Sequence, residues 1–79
     1  MSISPSQCRA ARAIINMDQN DLAARASVSR GVIIDFEKDR RKPGTNNLAA
    51  IRTALEAAGI EFFEDDRGEG VVKLRSRQE

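Results

Sequence analysis

The stretch of sequence that decides the fold is residues 19–37, which read QNDLAARASVSRGVIIDFE. Asp18 precedes this stretch and Ser29 lies within it, and both residue types commonly cap helices. They predict one helix over residues 19–26 and a second over residues 30–38. The break between them suits the turn of roughly three to four residues in a helix-turn-helix. A small core that fixes the angle between the helices is expected from Leu22, Ala23, Val28, Ile33 and Phe36.

An earlier helix is predicted by the run Ser4-Pro5-Ser6-Gln7. Ser4 can cap the helix, proline suits its first position, and Gln7 can complete a capping box. The helix is expected to run to about Ile15. Cys8 falls on its apolar stripe and is expected to pack inside.

Residues 39–44 form a predicted basic loop, after which Thr45 is expected to cap a fourth helix that ends near Ala58. The short β-rich runs 60–63 and 71–74 flank a polar segment and predict a hairpin. We therefore expect one domain that is all-α, with four helices and a short C-terminal β-hairpin. Its parts are a helix-turn-helix region over residues 1–59 and a tail over residues 60–75.

Composition argues against an enzyme. The 79 residues contain no histidine and a single cysteine, Cys8, so the commonest general base and metal ligand is missing. A lone thiol can build neither an internal disulfide nor a zinc site. Gly68-Glu69-Gly70 is too short for a phosphate-binding loop. No catalytic residues, metal or cofactor are expected.

The sequence also predicts where in the cell the protein is located. The N-terminal residues lack a signal-peptide run, and no segment approaches the roughly 20 apolar residues of a membrane span. The single cysteine is typical of a reducing compartment. We expect a cytoplasmic protein with no membrane partner.

Charge is distributed unevenly along the chain, although the net charge is only +1. Residues 1–44 contain eight Lys/Arg and five Asp/Glu, whereas residues 45–79 contain five and seven. The basic excess is concentrated in residues 38–42, KDRRK. A cluster of this kind is consistent with a phosphate-binding face, although most charged runs are simply solvated.

Several residues with defined spacing make a more specific pattern. The pattern consists of Arg12, Gln19-x-x-Leu22-Ala23, Ala26-x-Val28-Ser29-Arg30, Ile33, Phe36-Glu37 and the basic loop that closes on Pro43. Over about residues 5–58 the chain resembles the phage-repressor and Cro-like (XRE) helix-turn-helix family. The resemblance implies a lambda-repressor-like domain that binds double-stranded DNA in a sequence-specific manner. It also implies a transcriptional regulator, either a repressor or an activator, which is usually a homodimer on two half-sites.

The resemblance places base-reading roles on the second motif helix. Arg30, Gly31 and Asp35 match positions that contact base edges, with Val32 alongside. Arg30 could pair with guanine or contact a phosphate, and Val32 could touch a thymine methyl or only pack. Asp35 is a departure from the family, and it could accept from cytosine, be solvated or neutralise Arg30. Gly31 implies either a close approach to DNA or few direct base contacts.

Other family positions imply phosphate contacts and one structural ion pair. The phosphate contacts are expected from Gln19, Ser29, Lys38, Arg40, Arg41 and Lys42. Asp39 stands where the family often has glycine, and it should tolerate the left-handed turn. Arg12 and Glu37 match a pair that links the first helix to the end of the recognition helix.

The tail lies outside the common family core. We expect it to form the dimer contact, whose apolar residues would be Phe62, Phe63, Val71 and Val72; alternatively, the hairpin only covers the fourth helix. A second function class also stays open. Antitoxins share this fold, so the chain could bind a partner toxin and autoregulate its operon.

Overall fold

The computed structural model describes residues 2–75. Its elements, in chain order, are α1 Pro5–Ile14, α2 Gln19–Ala26, α3 Arg30–Glu37, α4 Thr45–Ala57, β1 Ile60–Asp65 and β2 Gly68–Lys73. This is the predicted class of fold, a four-helix domain that ends in an antiparallel hairpin. Within the described part of the chain, no helix is both long enough and apolar enough to cross a membrane.

The first three helices begin where their capping residues predict. The Ser4 hydroxyl accepts from the Gln7 backbone N–H at 3.1 Å, and the Gln7 side chain accepts from the Ser4 N–H at 3.0 Å. Asp18 and Ser29 cap α2 and α3 through their side chains, which accept from the Asp21 and Val32 N–H groups. These short-range bonds satisfy helix N–H groups that have no partner within the helix.

The predicted cap of α4 was wrong by one residue. Gly44 is the N-cap, and its carbonyl accepts from the Leu48 N–H at 2.9 Å. Thr45 is already helical, and no side chain caps this end of α4. Glycine is itself a favoured N-cap residue, so the extended backbone ends at Gly44 and the helix begins one residue earlier than expected.

The hairpin is longer and its turn tighter than predicted. Pairing runs without interruption from Ile60↔Lys73 to Asp65↔Gly68, so only Asp66 and Arg67 form the turn. The Asp65 carboxylate accepts from the Arg67 N–H at 2.9 Å, and Gly68 has a φ of 144°. The polar residues of this segment had indicated a loop, whereas the tight turn extends both strands into it.

The core lies where the helices and the hairpin meet. The largest of its fully buried side chains are Leu22, Ile33, Ile51, Leu55, Ile60 and Cys8. The predicted core of the helix-turn-helix is buried, with Val28 half-buried at its edge. Cys8 is 0% exposed, which confirms its packing role.

A buried glutamine attaches the hairpin to α1. Gln7 is 3% exposed, and its Nε2 donates to the carbonyls of Phe63 and Gly70 at 3.0 and 3.1 Å. The Ser4 hydroxyl donates to Glu69 at 2.7 Å. The residues that cap α1 therefore also hold both strands, which matters because a two-stranded hairpin alone is marginally stable in water.

Candidate nucleic-acid interface

Helix α3, the recognition helix predicted from the sequence, presents its N-terminal end to solvent and packs against the core with its opposite face. Arg30 and Gly31 are exposed and Val32 is half-buried, whereas Ile33 and Phe36 lie in the core. The helix ends at Glu37, and Lys38 is its C-cap. A helix end that projects in this way can enter the major groove of DNA.

The turn before α3 fixes its direction. Ser27 has a left-handed φ of 58°, and the Val28 N–H donates to the Ala23 carbonyl at 3.0 Å. Val28 packs against the core. The chain therefore reverses within a few residues, and Ser29 can cap α3 at the protein surface.

Four side chains from three helices form what we call the Glu37 cluster: Cys8, Arg12, Gln19 and Glu37. Arg12 donates through Nε and Nη2 to the two carboxylate oxygens at 2.6 and 2.7 Å. The Cys8 thiol and the Gln19 amide each donate at 3.1 Å. Glu37 is 3% exposed, so a buried carboxylate joins α1, the start of α2 and the end of α3.

The electrostatics of the Glu37 cluster keep the carboxylate ionised. Burial alone would raise the pKa of Glu37, but the hydrogen bonds from Arg12, Cys8 and Gln19 outweigh it and hold the pKa below its ordinary value. The hydrogen bond to Glu37 raises the pKa of Arg12. Burial and the same carboxylate raise the pKa of the Cys8 thiol, so the thiol stays protonated and donates.

Two further bonds of the arginines on α1 stiffen this region. Arg12 Nη1 donates to the Met17 carbonyl at 3.0 Å, and Arg9 Nη1 donates to the Glu37 carbonyl at the end of α3. A cation at a helix C-terminus is favourable because carbonyls are exposed there. The sequence indicated the ion pair but not the contributions of Arg9, Cys8 and Gln19 around it.

The basic loop lies beside the exposed end of α3. Asp39 adopts a left-handed φ of 59°, as expected, and the Arg40 N–H donates to the Asp35 carbonyl at 2.8 Å. Arg41 and Lys42 line one cleft together with Gly31 and Asp35. The loop and the tip of the recognition helix therefore share one side of the molecule.

The predicted phosphate-contact residues fall into two groups around α3. Lys38, Arg40, Arg41 and Lys42 are exposed, as is Ser29. Gln19 is half-buried because its amide is bound to Glu37, but it also lines a depression with Arg30. The candidate surface thus extends from Gln19 across Arg30 to the basic loop.

Asp35 lies in this surface with a cation beside it. The Arg40 guanidinium is 3.9 Å from the Asp35 carboxylate, and both side chains are partly exposed. The neutralising partner is therefore Arg40 rather than Arg30, which was the partner considered from the sequence. A pair this long and this exposed contributes little stability, so the carboxylate can exchange its partner.

The four predicted dimer residues lie on two different faces of the hairpin. Phe62 is 6% exposed, and Val71, its cross-strand partner, is half-buried against the core. Phe63 and Val72 are 40% and 42% exposed. Alternation along the strands causes this division, so the hairpin covers α4 with one face and leaves the other available.

These features define a four-helix domain in which a helix-turn-helix presents its second helix beside a basic loop. A helix-turn-helix family model matches residues 9–61, which is more than half of the chain. The chain belongs to this helix-turn-helix family, in agreement with the XRE-type resemblance of its sequence.

A relative from Archaeoglobus fulgidus supports the same assignment. It is named an uncharacterized HTH-type transcriptional regulator and is 48% identical to this chain over 44 residues. The match covers 56% of this chain but only 19% of the relative. The chain thus spans only a small part of this relative, and most of the relative lies outside the match.

Proposed function

We propose that this protein is a sequence-specific, double-stranded DNA-binding transcriptional regulator that inserts the N-terminal end of α3 into the major groove. The observation that carries the proposal is the position of Gly31 and Asp35 in the same cleft as Arg41 and Lys42. Groups suited to base edges and groups suited to phosphates thus occupy one continuous surface. Regulation of transcription is inferred from the family and from the name of the relative.

Base recognition falls to the exposed side chains of α3. Arg30 has the fork of donors that pairs with the O6 and N7 acceptors of guanine, and Asp35 can accept from the N4 amino group of cytosine. Arg30 is exposed, and Asp35 is held only by a weak surface contact with Arg40. Both groups can therefore bind DNA at little cost to the fold.

Phosphate contacts fall to the groups on either side of α3. Arg41 and Lys42 on the loop, and Gln19 at the start of α2, would contact the backbone and set the position of α3 in the groove. Glu37 already holds the Gln19 amide, so its side chain needs little ordering on binding.

We include a homodimer in the proposal, with the outer face of the hairpin as the contact. Phe63, Val72 and Leu74 expose 40%, 42% and 49% of their surfaces. Exposed large apolar side chains on one short segment are typical of a protein contact. Two copies joined there would present two recognition helices to two half-sites.

Selection from a random pool of duplex DNA tests the function. The chain should enrich one sequence, and its affinity should fall steeply with salt because bound arginines and lysines release counterions. Arg30→Ala should relax base preference at one position of each half-site. Arg41→Ala should weaken all sequences equally and lower the salt slope by about one.

Arg67→Ala is the matched control, because it removes one positive charge from the hairpin turn. It should leave both affinity and preference unchanged. The groove assignment is wrong if Arg30→Ala and Arg41→Ala both bind like the parent.

The mass of the protein in solution and on DNA tests the dimer. Val72→Glu should produce monomers and weaken binding to a two-half-site duplex, because it places a charge in the apolar contact. Lys73→Glu, a substitution at the adjacent residue, should not. A parent chain that stays monomeric on its selected DNA would exclude this contact.

A further inference from the structure

Gly31 is a glycine that the fold does not require. It is the second residue of α3, and it is exposed. Among the described residues, a Cβ built there would meet only the Ser29 hydroxyl, at 3.8 Å, which is an ordinary contact. In a helix interior alanine is favoured over glycine by up to roughly fivefold in the folding equilibrium, and no contact among the described residues requires glycine at this first-turn position.

The other four glycines have reasons within the protein. Gly59 and Gly68 have φ values of 102° and 144°, which disfavour residues with a side chain. Gly70 lies under the Phe63 ring, where a Cβ would approach a ring carbon to 2.5 Å. Gly44 is an N-cap, a position that glycine suits. Because backbone angles or contacts within the protein explain the other four glycines, we look for the role of Gly31 in a bound partner.

The surroundings of Gly31 indicate what lies against it. The missing side chain leaves a notch in α3 between Arg30 and the half-buried Val32, and Asp35 follows one turn later on the same side. The notch opens into the cleft that Arg41 and Lys42 line from the loop. These cations would hold a DNA backbone next to the notch.

We propose that Gly31 is a specificity-determining residue, which admits the C5-methyl group of one thymine per half-site against its Cα and the side chain of Val32. This inference rests on the proposed function. Thymine is the DNA base whose major-groove edge carries a methyl group. The notch is bounded by the apolar side chain of Val32, and Gly31 has no side chain to fill it. Gly31 would therefore contribute to base recognition because it has no side chain that would exclude the methyl group.

Gly31→Ala tests the proposal because the substitution fits the free protein. Its unfolding midpoint should equal or exceed that of the parent, whereas its affinity for the selected DNA should fall roughly tenfold as the added methyl competes with the base. Thr53→Ala, in the exposed part of α4, is the control. It raises helix propensity without altering α3 and should bind like the parent.

Replacement of each thymine of the selected DNA by deoxyuridine, one at a time, then locates the methyl. At one position per half-site the parent should lose roughly three- to fivefold in affinity, and Gly31→Ala should lose nothing there. Parental affinity in Gly31→Ala, or a parent that tolerates every replacement, would overturn the inference while the proposed function stands. A parent that selects no DNA would overturn both.

Discussion

Replacement of Glu37 by glutamine should destabilise the fold more than the loss of a surface ion pair does. The substitution keeps the shape of the side chain but removes the charge that Arg12 meets at 2.6 Å. Breaking a buried pair costs roughly 3–5 kcal/mol. Because the Arg12 side chain is 19% exposed, water can solvate part of the freed charge, and we expect a loss of about 2–3 kcal/mol.

Urea unfolding followed by circular dichroism measures this loss. With a slope near 1 kcal/mol per molar urea for so small a domain, the midpoint should fall by about 2–3 M. Glu56→Gln provides the control, because Glu56 bonds Arg52 at 2.9 Å on the surface and should cost only about 0.5 kcal/mol. If the two variants lost the same stability, Glu37 would not be a structural anchor.

Three further outcomes are expected. The pKa of Glu37 is lower in the folded chain than in the unfolded chain, so ionised Glu37 stabilises the fold above the ordinary glutamate pKa and this stabilisation is lost as pH falls through the pKa of the folded state. The free energies of unfolding of the parent and Glu37→Gln, measured from pH 7 to pH 2, should therefore converge in acid. Gln7→Ala should cost about 2 kcal/mol, since two side-chain hydrogen bonds to the hairpin are lost, and amide hydrogen exchange should accelerate in both strands rather than in α3. Gly70→Ala should cost about 1 kcal/mol because its Cβ meets the Phe63 ring. Thermal unfolding of the double variant that also carries Phe63→Ala should show this clash relieved, and additive losses of the two substitutions would exclude the clash.

Local chemistry accounts for what the sequence could predict. Ser4, Asp18 and Ser29 cap the helices that follow them through bonds that span three residues, so their positions could be inferred from neighbouring residues. The same reasoning failed by one residue at Thr45, because Gly44 caps through its backbone alone. It also failed for the extent of the hairpin, whose polar strand ends are set by the turn rather than by hydrophobic alternation.

Long-range contacts could be predicted only where a family pattern supplied them. The resemblance indicated the pair of Arg12 and Glu37, but nothing local connects Cys8 or Gln19 to a carboxylate at residue 37. The second role of Gln7 depends on how the hairpin packs against α1. Alternation along a strand predicts that Phe62 and Phe63 lie on opposite faces of the hairpin, but tertiary packing decides which face contacts α4.

The Glu37 cluster and the exposed end of α3 share one helix but no side chain. Residues 30, 31 and 35 can therefore change without disturbing the contacts that Glu37 makes with α1 and α2. Under the proposed function, a lineage of such proteins could change its target sequence by substitution at the tip of α3, while the end of the helix that Glu37 anchors keeps its orientation. Libraries randomised at those three positions should accordingly yield mostly folded members with altered DNA preference.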